Sequence, residues 1–361
     1  MRILLIGRFF EEGFATFIGD ELIRLGHEVV CYDPGPPLLA MGSRMRFYIN
    51  RATSLAYQAA IHVRTKLGLE ANFSRLRRVI EKHGAIDLTL VTHDYLSPSD
   101  ADGVKRLTKA PLVLWYPDPI WSFRKHMFLN GPYDCLFFKD PYIVDMLRRK
   151  IGAPVYYLPE CYSPQSLQPG VVSEEISSSY SADICTAGNL YAYRVAFYRN
   201  LADKNVRIWG LPAPLWMRLG DVKPFVENRF VAHNEKAMAF QGAKIVLNNL
   251  NPAEIWGTNV RTFEVCGAGG FQLVDWRPGL SQLFEIGREL VAFDDVGDLR
   301  AKIDHYLAAP EERRTIAAAG HRRALRDHTY SHRLSLLLAT VDGIQKGYPE
   351  PSVGWAGRHA G

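Results

Sequence analysis

The sequence has few cysteines and no motif built from them. Only five of the 361 residues are cysteine, and none lies in a C-x-x-C pair. No group of cysteine and histidine has zinc-finger spacing. A small, odd number of scattered thiols is typical of reduced cysteines in the cytosol. These features argue against a disulfide framework and a structural zinc site, and we expect a cytoplasmic protein.

Long apolar runs and dense basic runs are also lacking. The absence of a stretch of about 18 apolar residues argues against a transmembrane helix. The opening run MRILLIG is too short for a signal peptide. A formal net charge of +5 suits anionic ligands such as nucleotide phosphates. No cluster of lysine and arginine is dense enough to predict a nucleic-acid partner.

Two cofactor signatures are absent as well. The turn after the first predicted strand, IGRFFEEGF, lacks the G-x-G-x-x-G fingerprint of dinucleotide binding. This argues against a nicotinamide or flavin enzyme. No D-x-D element lies in a suitable loop. We therefore expect neither a cofactor nor a metal ion.

What the sequence does contain is a strand, glycine turn and helix unit that occurs twice. Arg2–Ile6 is followed by Gly7, and Ala182–Thr186 by Gly188, each before a helical pattern. Helical patterns alternate with further predicted strands at Glu28–Tyr32, Ile86–Val91, Leu112–Tyr116, Cys135–Phe138, Val155–Leu158, Val206–Trp209, Lys244–Leu247, Gln272–Asp275 and Leu290–Phe293. This alternation predicts two doubly wound α/β domains.

The domain boundaries follow from composition. The stretch 159–181 is rich in proline and serine and lacks periodicity, which indicates an interdomain linker. We predict Rossmann-like domains over 1–165 and 166–328, facing each other across a cleft. A helix over 329–346 would cross back to the first domain, and the polar tail 347–361 would be disordered. This is the GT-B plan, although some epimerases and binding proteins share it.

Residues 41–68 combine cations with apolar and aromatic residues. The cations are Arg44, Arg46, Arg51, Arg64 and Lys66. Such a helix suits an anionic membrane surface or an acceptor. An ordinary surface helix has the same pattern. A peripheral membrane contact is therefore one of three open interpretations.

The segment GTNVRTFEVCGAGG, Gly257 to Gly270, carries the clearest chemistry. A Gly-Thr-Asn turn that opens a helix presents unpaired N–H groups and positive helix-dipole charge to a phosphate. Arg261 lies in the first turn and suits a diphosphate. Glu264 follows one turn later and suits ribose hydroxyls. An ordinary glycine-rich helix end with an incidental ion pair is the alternative interpretation.

The run from His233 to Arg333 resembles the CgeB-like, spore-maturation-type glycosyltransferases, which are related to the group 1 enzymes. The matching pieces are N-V-R-T-F-E, C-G-A-G-G-F-Q-L-V-D, F-E-I-G-R-E-L-V and H-T-Y-x-H-R. They occur in order over about 100 residues. ADICTAGNLYAYR and LWYPDP resemble two further family elements.

The resemblance implies a donor site for a nucleotide sugar in the second half. Glu264 would bind the ribose, and Arg194 the diphosphate. Trp209 and Gly210 would border the base, unless Trp209 is a core aromatic. Backbone N–H groups and turns facing the donor would come from Gly188, Asn189, Gly257, Thr258, Asn259 and Val260.

The chain departs from the group 1 pattern at one position. Group 1 enzymes carry two glutamates in an E-x7-E element whose second glutamate matches Glu264. The first falls at Trp256, and the nearest acid is Glu254. Glu254 remains a catalytic candidate that would contact the sugar. The stereochemical outcome, retaining or inverting, stays open.

The first half is expected to supply the acceptor site. Asp118 follows a strand and lies between two prolines, so it is our first candidate for a general base or acceptor ligand. His93 and Asp94 follow another strand at the same edge. Capping or turn chemistry explains these residues equally well. Arg8 lies at this edge too and suits an acceptor anion or the donor phosphate.

Histidines elsewhere in the sequence are weaker candidates for site residues. His233 and Asn234 open a predicted helix, where Asn234 is either an N-cap or a ligand. His328, Tyr330 and His332 begin the last helix, and we expect them to serve packing and hinge positioning.

Together these features predict a metal-independent glycosyltransferase that uses a nucleoside-diphosphate sugar. The acceptor is a glycan, a lipid-linked species or a protein. Two alternatives remain open: an epimerase or hydrolase of GT-B shape, and a non-catalytic sugar-nucleotide-binding protein in surface assembly.

Overall fold

The computed structural model describes residues 1–36, 44–69, 73–119, 126–168 and 179–346. It divides into two compact units. Unit 1 comprises Met1–Lys139, Ile143–Leu158 and the chain from Leu334, and unit 2 comprises Asp140–Tyr142 and Pro159–Arg333. The predicted disordered tail, 347–361, and the middle of the predicted linker, 169–178, lie outside the described residues.

Unit 1 is built on a six-stranded sheet in the order β2-β1-β3-β4-β5-β6. All its strand pairs are parallel. The strands are β1 (Arg2–Ile6), β2 (Glu28–Tyr32), β3 (Leu88–Val91), β4 (Leu112–Tyr116), β5 (Cys135–Phe138) and β6 (Val155–Tyr157). Because β3, β4 and β5 are buried along their whole length, helices must cover both faces of the sheet.

In the part of unit 1 that the structure describes, five α-helices connect these strands. They are α1 (Phe14–Arg24), α2 (Arg44–Lys66), α3 (Phe73–His83), α4 (Pro98–Thr108) and α5 (Pro141–Ile151). Helix α4 shows how the sequence sets the bounds. Ser97 and Asp100 form a capping box, Pro98 occupies the first turn, and Lys109 ends the helix in the left-handed conformation.

Unit 2 is built on a five-stranded sheet in the order β11-β10-β9-β7-β8. Its pairs are also parallel. The strands are β7 (Ala182–Ala187), β8 (Val206–Trp209), β9 (Ala243–Asn248), β10 (Gln272–Asp275) and β11 (Val291–Phe293). One buried cluster includes Val246 and Phe263, and a second includes Ile245 and Phe293.

The helices of unit 2 follow its strands. They are α6 (Ala192–Tyr198), α7 (His233–Gly242), α8 (Val260–Gly267), α9 (Leu280–Leu283), α10 (Val296–Ala308) and α11 (Pro310–Asp327). A last helix, α12 (Tyr330–Gln345), begins in unit 2, and from Leu334 onward its residues belong to unit 1. Helix α8 ends where Gly269 adopts a φ of +78°, which favours glycine.

Part of the predicted linker is packed into unit 2. Tyr162 and Leu167 are buried in its core. The Tyr162 N–H donates to the His328 carbonyl at 3.2 Å. A Cβ added to Gly267 would lie 2.3 Å from the Tyr162 ring, so only glycine leaves room for that ring. The high proline and serine content of 159–181 favoured a linker, so the burial of Tyr162 and Leu167 was not predicted.

The doubly wound α/β plan is confirmed, with parallel sheets in both halves. Differences are confined to element ends and short helices. The helix predicted after Gly188 is α6 followed by a 3-10 turn at Arg199–Leu201. Among the described helices, none has the length and apolarity that a bilayer crossing demands.

Candidate functional site

The turns after β7 and β8 meet at the carboxyl edge of unit 2. The Gly188 N–H donates to the Trp209 carbonyl at 2.8 Å. A Cβ on Gly210 would lie 2.5 Å from the Gly188 carbonyl oxygen, and Gly188 itself has a φ of +132°. Glycine at both positions therefore lets the two turns approach more closely than side chains allow.

Two arginines lie against this turn. A Cβ on Gly188 would lie 2.1 Å from Arg261 Nη2 and 3.2 Å from Arg194 Nη1. Both residues are buried. Arg194 donates to the Asn189 carbonyl at 2.9 Å and lies over the Tyr191 ring. The turn is thus lined by two guanidinium groups.

Neither cation has an ion-pair partner within the described part of the chain, and the Glu264 charge only opposes part of the lowering of the Arg261 pKa. No ion pair joins Arg194 or Arg261 to a carboxylate there, and Arg261 reaches only the Asn248 side chain, at 3.4 Å. Burial, aided by the charge of Arg194, lowers the pKa of Arg261 to about 10. Buried like charges are unfavourable unless an anion compensates them. The arrangement suits a diphosphate.

The N-terminus of α8 adds backbone donors. Asn259 is the N-cap, and its side chain accepts from the Thr262 N–H. Within the described residues, the N–H groups of 257–261 donate to no acceptor. Unpaired N–H groups at a helix N-terminus favour a phosphate.

A buried amide network holds this turn in place. Asn248 Nδ2 donates to Asn259 Oδ1 at 3.0 Å, to Thr262 Oγ1 at 3.0 Å and to Gln272 Oε1 at 3.1 Å. Thr258 and Thr262 share a hydroxyl hydrogen bond. Because each partner is itself bonded, the N-terminus of α8 is fixed before any ligand binds.

Glu264 lies one turn further along α8. Its Oε1 is 3.0 Å from Lys236 Nζ on α7, and both side chains are largely buried. Its Oε2 has no hydrogen bond within the described residues, which leaves an acceptor for hydroxyl groups. The lysine holds the orientation of the carboxylate.

Glu254 lies in a loop that side chains of two other segments hold in place. Its side chain is buried. Asp140 accepts from the Ile255 N–H at 2.9 Å and from the Trp256 N–H at 3.2 Å. Arg277 donates to the Glu254 carbonyl at 2.7 Å. The sugar-contact role predicted for Glu254 stays a prediction.

The indole of Trp209 lies in the core. Its side chain is 1% exposed and packs between the Tyr180 ring and the Arg207 guanidinium, which lies 4.4 Å from the ring centroid. The side chain of Trp209 is therefore a core aromatic. Only the backbone of Trp209 and Gly210 lines the turn beside Gly188.

At the carboxyl edge of unit 1, the structure brings His93 and Asp118 together. His93 Nε2 lies 3.2 Å from Asp118 Oδ2, with the carboxylate half-exposed. The His93 ring also packs on Tyr116 at 4.5 Å. Burial by itself would raise the pKa of Asp118. The His93 hydrogen bond and the charges of His93 and Lys139 outweigh it and hold that pKa below its ordinary value.

Other candidates in unit 1 have structural partners. Arg8 Nε lies 3.1 Å from Asp33 Oδ1, so its charge is compensated by a neighbour. Burial raises the pKa of Asp94 and outweighs the backbone hydrogen bonds from Met127 and Phe128, which lower it. Neither His93 nor Asp94 caps helix α4, whose N-cap is Ser97.

Of the two interpretations of Asn234, the N-cap is wrong. Helix α7 begins at His233, and its N-cap is Ala232, with no side-chain hydrogen bond. Asn234 Oδ1 instead accepts from the Gln168 N–H at 3.4 Å, and His233 Nδ1 lies 2.7 Å from Ser166 Oγ. Both residues tie α7 to the segment that precedes β7.

His328 is a buried structural residue. Its Nε2 donates to the Leu283 carbonyl at 2.7 Å, and its Nδ1 accepts from Arg333 at 2.8 Å. Burial, together with the Arg333 charge, lowers its pKa to about 3. His332 bonds Thr329 Oγ1 at 2.8 Å, and Tyr330 is buried. These contacts agree with a packing role.

Sequence reasoning missed three supporting residues. Asn248 ends strand β9, Asp140 follows β5, and Lys236 lies within α7. A polar residue at the carboxyl end of a buried strand is a signal that marks Asn248 and Asp140. Lys236 has no local signal, because its partner is 28 residues away. Across the described residues, no three His, Cys, Asp or Glu side chains gather as a metal would require.

Known structures define the class of fold. A sucrose-phosphate synthase from Thermosynechococcus elongatus matches with a TM-score of 0.62 at 12% identity, covering 95% of this chain and 99% of that one. HepE from Anabaena, in complex with UDP-glucose, matches with 0.58 at 11% identity over 94% and 99%. An α,α-trehalose-phosphate synthase (UDP-forming) from Burkholderia vietnamiensis gives 0.61 at 16% over 96% and 99%. The chain has the GT-B fold.

Sequence comparison adds a family for part of the chain. Residues 194–339 match the glycosyl transferase-like family. This segment begins at Arg194 and includes Arg261 and Glu264. No curated protein matches the chain in sequence.

Proposed function

We propose that the protein is a glycosyltransferase that moves a sugar from a nucleoside-diphosphate sugar to an acceptor hydroxyl. The observation that carries this proposal is the buried pair Arg194 and Arg261, which has no carboxylate partner in the described residues and lies at a glycine turn beside open N–H groups. The match of residues 194–339 to the glycosyl transferase-like family supports the same reaction.

Unit 2 binds the donor in this proposal. The diphosphate lies against Gly188, the N-terminus of α8 and the two arginines, and the ribose hydroxyls donate to Glu264. As the bond from the sugar C1 to the phosphate oxygen breaks, the leaving oxygen takes the electron pair. The fixed N–H groups and guanidinium charges stabilise that growing negative charge. This electrostatic stabilisation makes the reaction independent of a metal ion.

Unit 1 binds and activates the acceptor. The Asp118 carboxylate accepts the Nε2 proton of His93, which leaves Nδ1 as the proton acceptor. The acceptor hydroxyl loses its proton to His93, and its oxygen bonds to C1 of the sugar. In this arrangement Asp118 orients and polarises the base, which differs from the general base or acceptor ligand predicted from sequence. Glu254 contacts the transferred sugar.

The finer assignments belong to the same proposal. The acceptor is a glycan, a lipid-linked species or a protein, and the enzyme acts in the cytoplasm at the inner face of the membrane. It is a hexosyl- or related transferase in glycan biosynthesis, of the CgeB-like type. HepE, which is known with UDP-glucose, has the same fold, so a uridine nucleotide is the first donor to test.

The test is donor binding and sugar release by the full chain, with and without acceptors. We expect Glu264→Ala to weaken nucleoside-diphosphate binding by about tenfold or more, because a charge-assisted ribose contact is lost. Glu285→Ala, which changes an exposed glutamate of unit 2, is the matched control. Unchanged affinity in Glu264→Ala removes that assignment.

Product analysis separates the alternatives. A transferase makes a new glycoside only when an acceptor is present. Release of sugar without any acceptor dependence identifies a hydrolase, and an altered nucleotide sugar identifies an epimerase. Donor binding with no product from any nucleotide sugar or acceptor identifies a binding protein.

A further inference from the structure

Helix α2 holds an unusual share of the chain's charge. It contains four arginines and one lysine and no aspartate or glutamate. This charge of +5 equals the formal net charge of the whole chain. The formal charges of all other residues therefore sum to zero, and a segment this basic attracts anionic partners.

One side of α2 is attached to unit 1. The Tyr57 hydroxyl donates to the Pro34 carbonyl at 3.0 Å, and Arg75 donates to that hydroxyl at 3.1 Å. Ile61 and Thr65, four and eight residues later, lie on the same face of the helix and are half-buried. Tyr57, Ile61 and Thr65 thus define the inner face.

The opposite face is apolar and exposed. Leu55 and Val63 are 61% and 54% exposed, and Ala59 between them is exposed as well. Their spacing of four residues places them in one stripe. Leu67 and Leu69, just beyond the helix, extend the exposed apolar surface. Lys66 continues the line of the stripe at the C-terminal end of α2, and His62 and Arg64 are exposed on its two sides.

We propose that α2 lies on an anionic lipid surface, with Leu55, Ala59 and Val63 in the acyl boundary and Arg64 and Lys66 on the headgroups. A narrow apolar stripe bordered by cations, with no acidic residue, fits a helix in the plane of a membrane interface. Each cation near such a surface adds attraction to anionic lipids. This surface lies outside the donor site and does not depend on the proposed reaction.

The test is co-sedimentation of the full chain, without nucleotide, with vesicles of equal parts phosphatidylcholine and phosphatidylglycerol. Vesicles of phosphatidylcholine alone are the second arm. We expect binding to the anionic vesicles that weakens as salt rises. Arg64→Gln with Lys66→Gln should reduce the partition coefficient by about tenfold or more, since each cation contributes near the surface.

Two further variants make the test specific. Arg288→Gln with Arg314→Gln removes the same charge from exposed positions of unit 2 and should leave partition unchanged. Leu55→Ser with Val63→Ser should reduce partition by about tenfold or more, because apolar burial is lost. Circular dichroism confirms that each variant is folded.

Three results overturn the proposal. They are no binding of the wild-type chain to anionic vesicles, an equal loss in the Arg288 and Arg314 variant, and unchanged partition in the Leu55 and Val63 variant. The last result assigns α2 to an acidic partner other than a membrane. Donor binding is measured separately, so its failure and the failure of vesicle binding are distinguishable.

Discussion

The two sheet edges differ in how their charges are compensated. In unit 1, Asp118 lies beside His93 and Arg8 beside Asp33, so each charged group has a partner in its own unit. In unit 2, Arg194 and Arg261 lie buried next to each other with no carboxylate in ion-pair contact among the described residues. Asp118 and Arg8 thus have partners without a ligand, whereas an anion would relieve the contact between the two buried arginines.

This difference indicates a division of labour. A self-compensated pair can move a proton without a change in net charge, which suits acceptor activation. An uncompensated pair of guanidinium groups stores unfavourable electrostatic energy that a diphosphate relieves, which suits donor binding. Substitutions at each edge distinguish acceptor activation from donor binding.

The largest effect is expected at the compensated edge. Asp118→Asn should lower turnover by about 100- to 10,000-fold, because the base loses the carboxylate that orients it. Donor affinity should be unchanged, because unit 2 is untouched. Steady-state kinetics and donor calorimetry measure the two quantities. Asp145→Asn, which alters another carboxylate of unit 1, is the control, and near-normal turnover in Asp118→Asn contradicts the assigned role.

At the uncompensated edge, one substitution should move binding and stability in opposite directions. Arg261→Met should weaken nucleoside-diphosphate binding by about tenfold to 100-fold, because a charge-assisted contact is lost. The melting temperature without ligand should stay constant or rise, since a buried like-charge contact disappears. Calorimetry and thermal melts measure both effects. A lower melting temperature with normal binding would make Arg261 a structural residue.

The third prediction concerns pH and the neutral His328. Its pKa is about 3 in the folded chain, below the ordinary histidine pKa of 6.5 that applies in the unfolded chain. Between these values the unfolded chain binds more protons, so stability falls as pH drops below 6.5. At pH 5 this costs about 2 kcal/mol relative to neutral pH.

Denaturant unfolding at neutral pH and at pH 5 tests this account. His328→Gln should be less sensitive to acid than the wild type by that amount. His305→Gln, which changes an exposed histidine, should keep the wild-type sensitivity. Equal sensitivity in all three proteins would refute the buried neutral histidine.

The smallest effect is expected at Trp209. Trp209→Phe keeps an aromatic ring in the core and leaves the backbone beside Gly188 in place. Donor affinity should therefore be unchanged in calorimetry, although stability falls slightly because a core side chain becomes smaller. A clear loss of affinity would show that the indole contacts the base.

The sequence predicted what local pattern controls. Buried strands, the glycine at 188 and the N-terminus of α8 follow from runs of apolar residues and from turn chemistry. Contacts between residues far apart in the chain were not predictable. Asp140 binds the loop at Ile255, Lys236 meets Glu264, and Tyr162 packs against Gly267. No periodicity encodes such pairs, since they arise only when the sheet brings separate loops together.

A crystal structure of the chain soaked with a nucleoside diphosphate tests the central claim most directly. We expect phosphate oxygens about 3 Å from the N–H groups that open α8 and from Arg194 and Arg261, with the ribose hydroxyls on Glu264. A nucleotide bound away from Gly188 and α8, or no bound nucleotide at saturating concentration, would contradict the account.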